Sequence, residues 1–227
     1  MIKNYFKNWN LYEKLYLTLG ILSTIIISLI TKSTIISTLY VITYITNALL
    51  SSKGRPECYI FGFIGMIFYG YLSFSQKYYG EVLILLFLST PVMIMGVISW
   101  LKNKDDESII INTLSKKEII LAILSQVVMF FLYYYILKLF NTNMLVVSSL
   151  SIVMSLLALY FGSRRSELCY YFYLLNDIVG ITLWIMPILN GEKAMFSVIF
   201  GPLLLFINDI YGVYNWKRLK KKQMEVK

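Results

Sequence analysis

The distribution of charge constrains this chain more than any other feature of its sequence. Long apolar stretches, almost free of charged residues, recur along all 227 residues. Each is roughly 17 to 23 residues long, which matches the ~20-residue helix that crosses a ~30 Å hydrocarbon core. Because lipid-facing backbone must satisfy its own hydrogen bonds, these stretches are predicted to be helices. Charged residues make up only 15% of the chain, against about 25% in soluble domains. The sequence therefore predicts an all-α integral membrane protein.

Eight stretches are predicted to be membrane helices. They are Leu15–Ile30, Ser33–Leu50, Cys58–Phe74, Val82–Leu101, Ile119–Leu139, Asn143–Phe161, Leu168–Leu189 and Ala194–Trp216. The first is short for a span, and its alternative is a helix that lies in the membrane interface. Only two carboxylates, Asp177 and Asp209, are expected well inside a stretch; Glu81 is placed at the edge of one.

Lysines and arginines indicate the orientation. If every later stretch spans, fourteen of these residues fall on one side of the membrane and four on the other. A spanning first stretch adds Lys3, Lys7 and Lys14 to the richer side. Positive residues concentrate in cytoplasmic loops, so the C-terminus is expected in the cytoplasm of a multi-pass cell (inner) membrane protein. The net charge of +9 is thereby explained by topology, and no nucleic-acid partner is expected.

The residue inventory excludes several kinds of chemistry. The chain has no histidine and two cysteines, Cys58 and Cys169. Zinc and non-haem iron sites depend on histidine or clustered cysteine, and histidine is the commonest general base. No phosphate-binding GxxxxGK[ST] loop is present. We therefore expect no metal, no cofactor, no enzymatic activity and no ATP-driven pump.

The chain also repeats itself. The segment Arg55–Phe61 resembles Arg165–Phe172, and one span later Gly96–Trp100 resembles Gly212–Trp216. One helix lies between the two copies, so equivalent helices point the same way, as in transporters with parallel repeats. The predicted fold is two parallel three-helix repeats joined by a linking helix (3+1+3), plus an N-terminal helix. The predicted segments are 1–32 (N-terminal helix), 33–101 (first repeat), 102–142 (charged loop and linking helix), 143–216 (second repeat) and 217–227 (basic cytoplasmic tail).

Motifs in both repeats resemble the nicotinamide riboside transporter family, the PnuC type. In the first repeat they are Tyr59–Gly62, Tyr69-Gly70, Tyr79–Glu81, Pro91, Gly96 and Trp100; in the second they are Asn176, Trp184, Phe206–Asn208, Tyr211-Gly212 and Tyr214–Lys217. The resemblance implies seven core helices arranged like a full-length SWEET transporter. It also implies uptake of nicotinamide riboside by facilitated diffusion with alternating access, and trapping of the product through phosphorylation by a cytosolic kinase.

Some positions depart from the family pattern. Cys169 and Phe172 stand where the family has tryptophans before Asn176, and Met93 stands where a glutamine follows a proline by two residues. Thiamine, riboflavin and deoxynucleosides, which relatives of the same fold carry, are therefore alternative substrates. A membrane-bound enzyme or assembly factor is the alternative from another class. The sequence is also compatible with a homo-oligomer.

Polar residues at bilayer depth usually face the bundle interior or a water-filled cavity. Asn176 and Asn208 are predicted to hydrogen-bond a carboxamide or pyrimidine edge of the substrate; the alternative is that they tie helices together. Asp177 and Asp209 would suit a substrate with a fixed positive charge, or else be neutral, hydrogen-bonded side chains.

Aromatic and isolated polar residues complete the predicted site. Phe172, Tyr173 and Trp184 surround Asn176 at helical spacings and are candidates to stack on a substrate ring. Gln126 stands alone in the linking helix and is a candidate pathway residue. Trp100 and Trp216 precede lysines at the ends of their spans, which is typical of anchoring at the membrane interface.

Overall fold

The computed structural model describes residues 9–105, 108–192 and 195–225. These residues form eight helices that are long and apolar enough to cross a membrane, and no β-strand. The helices are α1 (Leu11–Thr31), α2 (Ile35–Ser52), α3 (Cys58–Ser75), α4 (Tyr79–Lys102), α5 (Lys116–Leu139), α6 (Leu145–Ser163), α7 (Leu168–Leu189) and α8 (Phe196–Glu225). Lys3, Lys7, Lys193 and Lys227 of the charge count, and the predicted span start at Ala194, lie outside the described residues.

Helix α1 is longer than the apolar stretch that predicted it. It begins after Asn10, whose side chain accepts from the backbone N–H of Glu13 while Glu13 reaches back to Asn10, a capping box that satisfies free N–H groups at a helix start. Its 21 residues are enough to span. Glu13 lies in the first turn of α1, is buried by its neighbours and forms an ion pair with Lys53. Burial lowers the pKa of Lys53, and the hydrogen bond to Glu13 opposes that shift.

Helix α4 is interrupted. Leu85–Ser89 forms a π-helical turn between two α-helical parts, and the Thr90 hydroxyl donates to the Leu85 carbonyl at 2.7 Å. Pro91 follows and lacks an N–H group to continue the regular pattern. Glu81, predicted at the edge of this span, lies in the first turn of its first α-helical part and is 5% exposed.

The helices pack in matching pairs. Helix α2 contacts α3 as α6 contacts α7, α3 contacts α4 as α7 contacts α8, and α8 contacts α2 as α4 contacts α6. Helices α1 and α5 lie outside this group, against α2 and α6 respectively. Helix α5 leaves half of its apolar side chains exposed and buries only Tyr133 and Leu137, which is the surface that a lipid-facing helix presents.

The α4–α5 connection folds against one end of the bundle. Ile109 is fully buried and its N–H donates to the Gly54 carbonyl at 2.9 Å. Gln223 donates to the Ile109 carbonyl at 3.0 Å. That contact is made because α8 does not end near Trp216: it continues as a helix to Glu225.

Trp100 and Trp216 are core residues, so their prediction as interface anchors is wrong. They are 2% and 0% exposed, and their ring centroids are 5.7 Å apart. The indole N–H of Trp100 donates to the Gly162 carbonyl in α6, and that of Trp216 to the Ser51 carbonyl in α2. Trp100 thus links α4 to α6, and Trp216 links α8 to α2.

Candidate functional site

A central cavity of about 190 Å³ lies among six of the helices. All the described residues that line it come from α2, α3, α4, α6, α7 and α8. They include three carboxylates, two asparagines and many aromatic rings, and they include no lysine or arginine. Polar groups at this depth mark ligand and ion pathways in membrane proteins. The cavity is therefore the candidate substrate site.

One stripe of α7 supplies much of the wall. Tyr173, Asn176, Asp177, Gly180 and Trp184 all line the cavity, at spacings of three, four, seven and eleven that place them on one face of a helix. The Asn176 side-chain oxygen accepts from the Ser151 hydroxyl of α6 at 3.5 Å. Its amide group is therefore held at the cavity wall by a neighbouring helix.

Two carboxyl groups meet in the cavity. The side chains of Asp177 and Asp209 both line it, and each is 5% exposed. Asp177 Oδ2 has no hydrogen-bond partner among the described residues. The pair therefore keeps an unused acceptor in a buried position.

A cluster of rings, which we call the aromatic box, lines the same cavity as the third carboxylate, Glu81. It consists of Tyr40, Tyr44, Tyr69 and Trp184. Ring centroids are 4.7 Å apart for Tyr40 and Tyr44, and 6.0 Å apart for Tyr69 and Trp184. The sequence predicted only Trp184 of this group.

Three predicted site residues lie elsewhere. Asn208 is completely buried beside the cavity, accepts from the Ser52 hydroxyl at 3.4 Å and donates to Asp209 at 3.5 Å. Phe172 stacks on Phe161, with centroids 5.3 Å apart. Gln126 accepts from the Tyr133 hydroxyl at 3.4 Å and lines a separate groove among α4, α5 and α6. Met93, by contrast, does line the central cavity.

The missed residues carried a usable signal. Tyr40, Tyr44 and Asn47 recur at a helical spacing in α2 and all line the cavity. Tyr79–Glu81 is one of the motifs that resemble the family, but its position at the edge of a span gives Glu81 no predicted role in the site. Among the described residues, no group of histidine, cysteine, aspartate and glutamate is arranged to hold a metal ion.

The fold and cavity define a class: a multi-pass helical membrane protein with a polar and aromatic site enclosed among its helices. The sequence profile of the nicotinamide mononucleotide transporter family matches residues 34–218, and the chain belongs to that family. It is therefore a transporter and not an enzyme, which removes the enzyme and assembly-factor alternatives.

Individual relatives agree over nearly the whole chain. The chain is 21% identical to the nicotinamide riboside transporter PnuC of Neisseria mucosa, covering 96% of this chain and 85% of that protein. It is 24% identical to the transporter of the same name from Haemophilus influenzae, covering 97% and 96%. A crystal structure of the vitamin B3 transporter PnuC superposes with a TM-score of 0.86 at 21% identity, covering 97% of both chains. That likeness establishes the fold.

Proposed function

We propose that this transporter takes up nicotinamide riboside by facilitated diffusion with alternating access. The observation that carries the proposal is the cavity itself, which combines carboxylates, amides and flat aromatic rings at bilayer depth. Nicotinamide riboside offers a complementary partner for each: a fixed positive ring, a carboxamide and ribose hydroxyls. The names of the two relatives support the same substrate.

The architecture we propose is the 3+1+3 arrangement, with α2–α4 and α6–α8 as parallel repeats, α5 as the linking helix and α1 in addition. The matching helix contacts support it, as does the reciprocal bonding of Trp100 and Trp216 to opposite groups. The cavity lies between the two groups, so that rocking one against the other would expose it to each side in turn. The segments 33–101 and 143–216 are then the two repeats.

Within the site, Asn176 is proposed to bind the carboxamide edge, while Tyr173 or Trp184 stacks on the ring. Asp177 and Asp209 are proposed to supply polar or charged contacts near it. Their position in the cavity wall supports these roles. Asn208, Phe172 and Gln126 are proposed to act at most indirectly, because they are not among the residues that line the cavity.

Thiamine, riboflavin and a deoxynucleoside remain the alternative substrates. Met93 lines the cavity at the position where the family pattern has glutamine, and it replaces a hydrogen-bonding amide with a thioether. This substitution favours a ligand with an apolar group at that point. Thiamine combines such a surface with a fixed positive ring, and is the strongest alternative.

We further propose that the C-terminus is cytoplasmic and that a cytosolic kinase traps the imported substrate by phosphorylation. The Lys/Arg asymmetry supports the orientation. Transport by this route needs no cofactor. A homo-oligomer is compatible with the exposed apolar surface of α5.

Uptake into liposomes that contain the purified protein tests the substrate. Nicotinamide riboside, thiamine, riboflavin and a deoxynucleoside are presented separately, and the ligand recovered from inside is analysed for chemical change. We expect unmodified riboside to equilibrate faster than in protein-free liposomes, and Asn176→Ala to slow it. Equilibration of another ligand alone would contradict the riboside assignment.

A further inference from the structure

We infer that Glu81 and the aromatic box form a subsite that selects substrates carrying a fixed positive charge on an aromatic ring. The inference deepens the proposed function and rests on the cavity being the transport site. It assigns the charged ring to Glu81, a residue for which the sequence predicted no role. It also divides the alternative substrates into cationic and neutral groups.

The Glu81 carboxyl group is buried but incompletely bonded. Its side chain is 5% exposed. Its Oε1 atom has no hydrogen-bond partner in the described part of the chain. A buried carboxylate with an unused acceptor is costly unless a ligand meets it. Glu81 lines the cavity, where such a ligand would bind.

The rings beside Glu81 suit a cation more than a neutral ligand. Tyr69 lies 5.5 Å from Tyr40, 6.3 Å from Tyr44 and 6.0 Å from Trp184, centroid to centroid. The negative faces of such rings attract organic cations, and cages of this kind bind quaternary nitrogen. A quaternary ring nitrogen has no N–H to donate, so charge and ring faces are the means of recognising it.

No protein cation competes for this subsite. The residues that line the cavity in the described structure include no lysine or arginine. Asp209 accepts a hydrogen bond from Asn208, whereas Glu81 Oε1 and Asp177 Oδ2 have no partner among the described residues. The unpaired oxygen of Glu81 is therefore available to a ligand, as is that of Asp177. A pyridinium or thiazolium ring fits this chemistry, and a neutral flavin or deoxynucleoside does not.

The test compares two ligands that differ almost only in charge. Nicotinamide riboside carries a pyridinium, and its 1,4-dihydro form has the same substituents on a neutral ring. Calorimetry with the full chain in lipid nanodiscs should give wild-type protein a preference for the cation of about tenfold or more. Glu81→Gln should weaken binding of the cation by roughly 10- to 100-fold and leave the neutral form unchanged. Unchanged neutral binding also shows that the variant is folded.

Glu57→Gln is the matched control, because Glu57 is an exposed carboxylate outside the cavity, and it should leave both affinities unchanged. Equal binding of the two ligands by wild-type protein would overturn the subsite but not riboside transport. A cation preference that survives in Glu81→Gln would also overturn it. If Glu81→Gln does not fold, Tyr44→Leu should reduce the preference severalfold, and full retention would count against the box.

Thiamine separates this inference from the riboside assignment. If wild-type protein binds thiamine but not the riboside, and Glu81→Gln loses that binding, the subsite stands and only the substrate changes. If no cationic vitamin binds, both the subsite and the proposed function are overturned.

Discussion

The Asn-Asp dipeptide occurs in α7, as Asn176-Asp177, and again in α8, as Asn208-Asp209. The two asparagines have different surroundings. Asn176 lines the cavity, and its side-chain oxygen accepts a long hydrogen bond from Ser151. Asn208 is completely buried and bonds Ser52 of α2 and the neighbouring Asp209. An amide at a cavity wall is available to a ligand, whereas a packed amide contributes to the contact between helices. Replacing Asn176 should therefore affect substrate binding, whereas replacing Asn208 should affect folding.

Asn176→Ala is expected to weaken substrate binding while the protein remains folded. Loss of a hydrogen bond that leaves a buried polar group unpaired costs ~1–3 kcal/mol, or roughly 5- to 150-fold in affinity. Asn208→Ala should instead lower folded yield and thermal stability, with near-normal affinity in the folded fraction. Calorimetry and thermal unfolding in detergent measure the two effects.

Asn190→Ala serves as the control, because Asn190 is an exposed residue at the end of α7. It should change neither quantity. Normal affinity in Asn176→Ala would remove Asn176 from the site. Loss of affinity in a stable Asn208→Ala protein would show that Asn208 reaches the substrate after all.

Sequence periodicity could identify α7 as part of the site, but not which face of α7 lines the cavity. Phe172 and Tyr173 both have a helical spacing to Asn176, and only Tyr173 lies on the cavity stripe. The direction of the stripe depends on which neighbours pack against α7, and Phe161 takes up the Phe172 ring. Periodicity gives Glu81 no role for a related reason: its place at the start of a span does not show that its side chain lines the cavity.

At the scale of helices, one glycine in α4 and one in α8 each allow a tyrosine ring of the preceding helix to pack closely. These are Gly96, which contacts Tyr59 of α3, and Gly212, which contacts Tyr170 of α7. A Cβ atom at Gly96 would overlap the ring of Tyr59, and one at Gly212 would overlap the ring of Tyr170. Those tyrosines pack edge-on against Trp100 and Trp216 respectively, with centroids 5.2 Å apart in both cases. The same glycine, tyrosine and tryptophan contact thus occurs twice.

Gly96→Ala and Gly212→Ala are each expected to destabilise the protein by roughly 1–3 kcal/mol, because the added methyl must displace a packed ring. Thermal unfolding of the purified variants measures this. Gly70→Ala is the control, since its Cβ would meet Leu85 at an ordinary 3.6 Å. Wild-type stability in both test variants would show that the helices can move apart without cost.

Hydropathy predicted where the chain lies in the membrane better than where its helices end. Helix α1 begins at Leu11, before the apolar run, because Asn10 and Glu13 cap it; the Asn-x-x-Glu pattern was visible in the sequence. Helix α8 continues beyond Trp216 because lysine and arginine are good helix formers. The π-helical turn of α4 had no comparable signal, since it arises where Thr90 bonds the Leu85 carbonyl.

At the scale of the whole molecule, the charge asymmetry makes a direct prediction about orientation. A cysteine introduced as Lys222→Cys, near the exposed end of α8, should resist an impermeant thiol reagent in intact cells and react after lysis. Cys58 and Cys169 are buried and should give little background. Lys138 lies in the last turn of α5, on the side of the membrane predicted to be outside the cell. Lys138→Cys should therefore react without lysis. The reverse pattern would invert the topology and contradict trapping by a cytosolic kinase.

The three carboxylates of the cavity raise a competing expectation, which is coupling to protons. Facilitated diffusion of a cation responds to voltage, since one charge across 100 mV corresponds to about 2.3 kcal/mol, but it does not respond to a pH gradient. With the potential clamped, riboside uptake into proteoliposomes should stop at equal concentrations inside and outside. A proton ionophore should leave the initial rate unchanged, while a pH-sensitive dye confirms that it collapses an imposed gradient. Accumulation driven by that gradient, and abolished by the ionophore, would instead make the Asp177–Asp209 pair the candidate proton site, because both carboxyl groups are buried in the cavity wall.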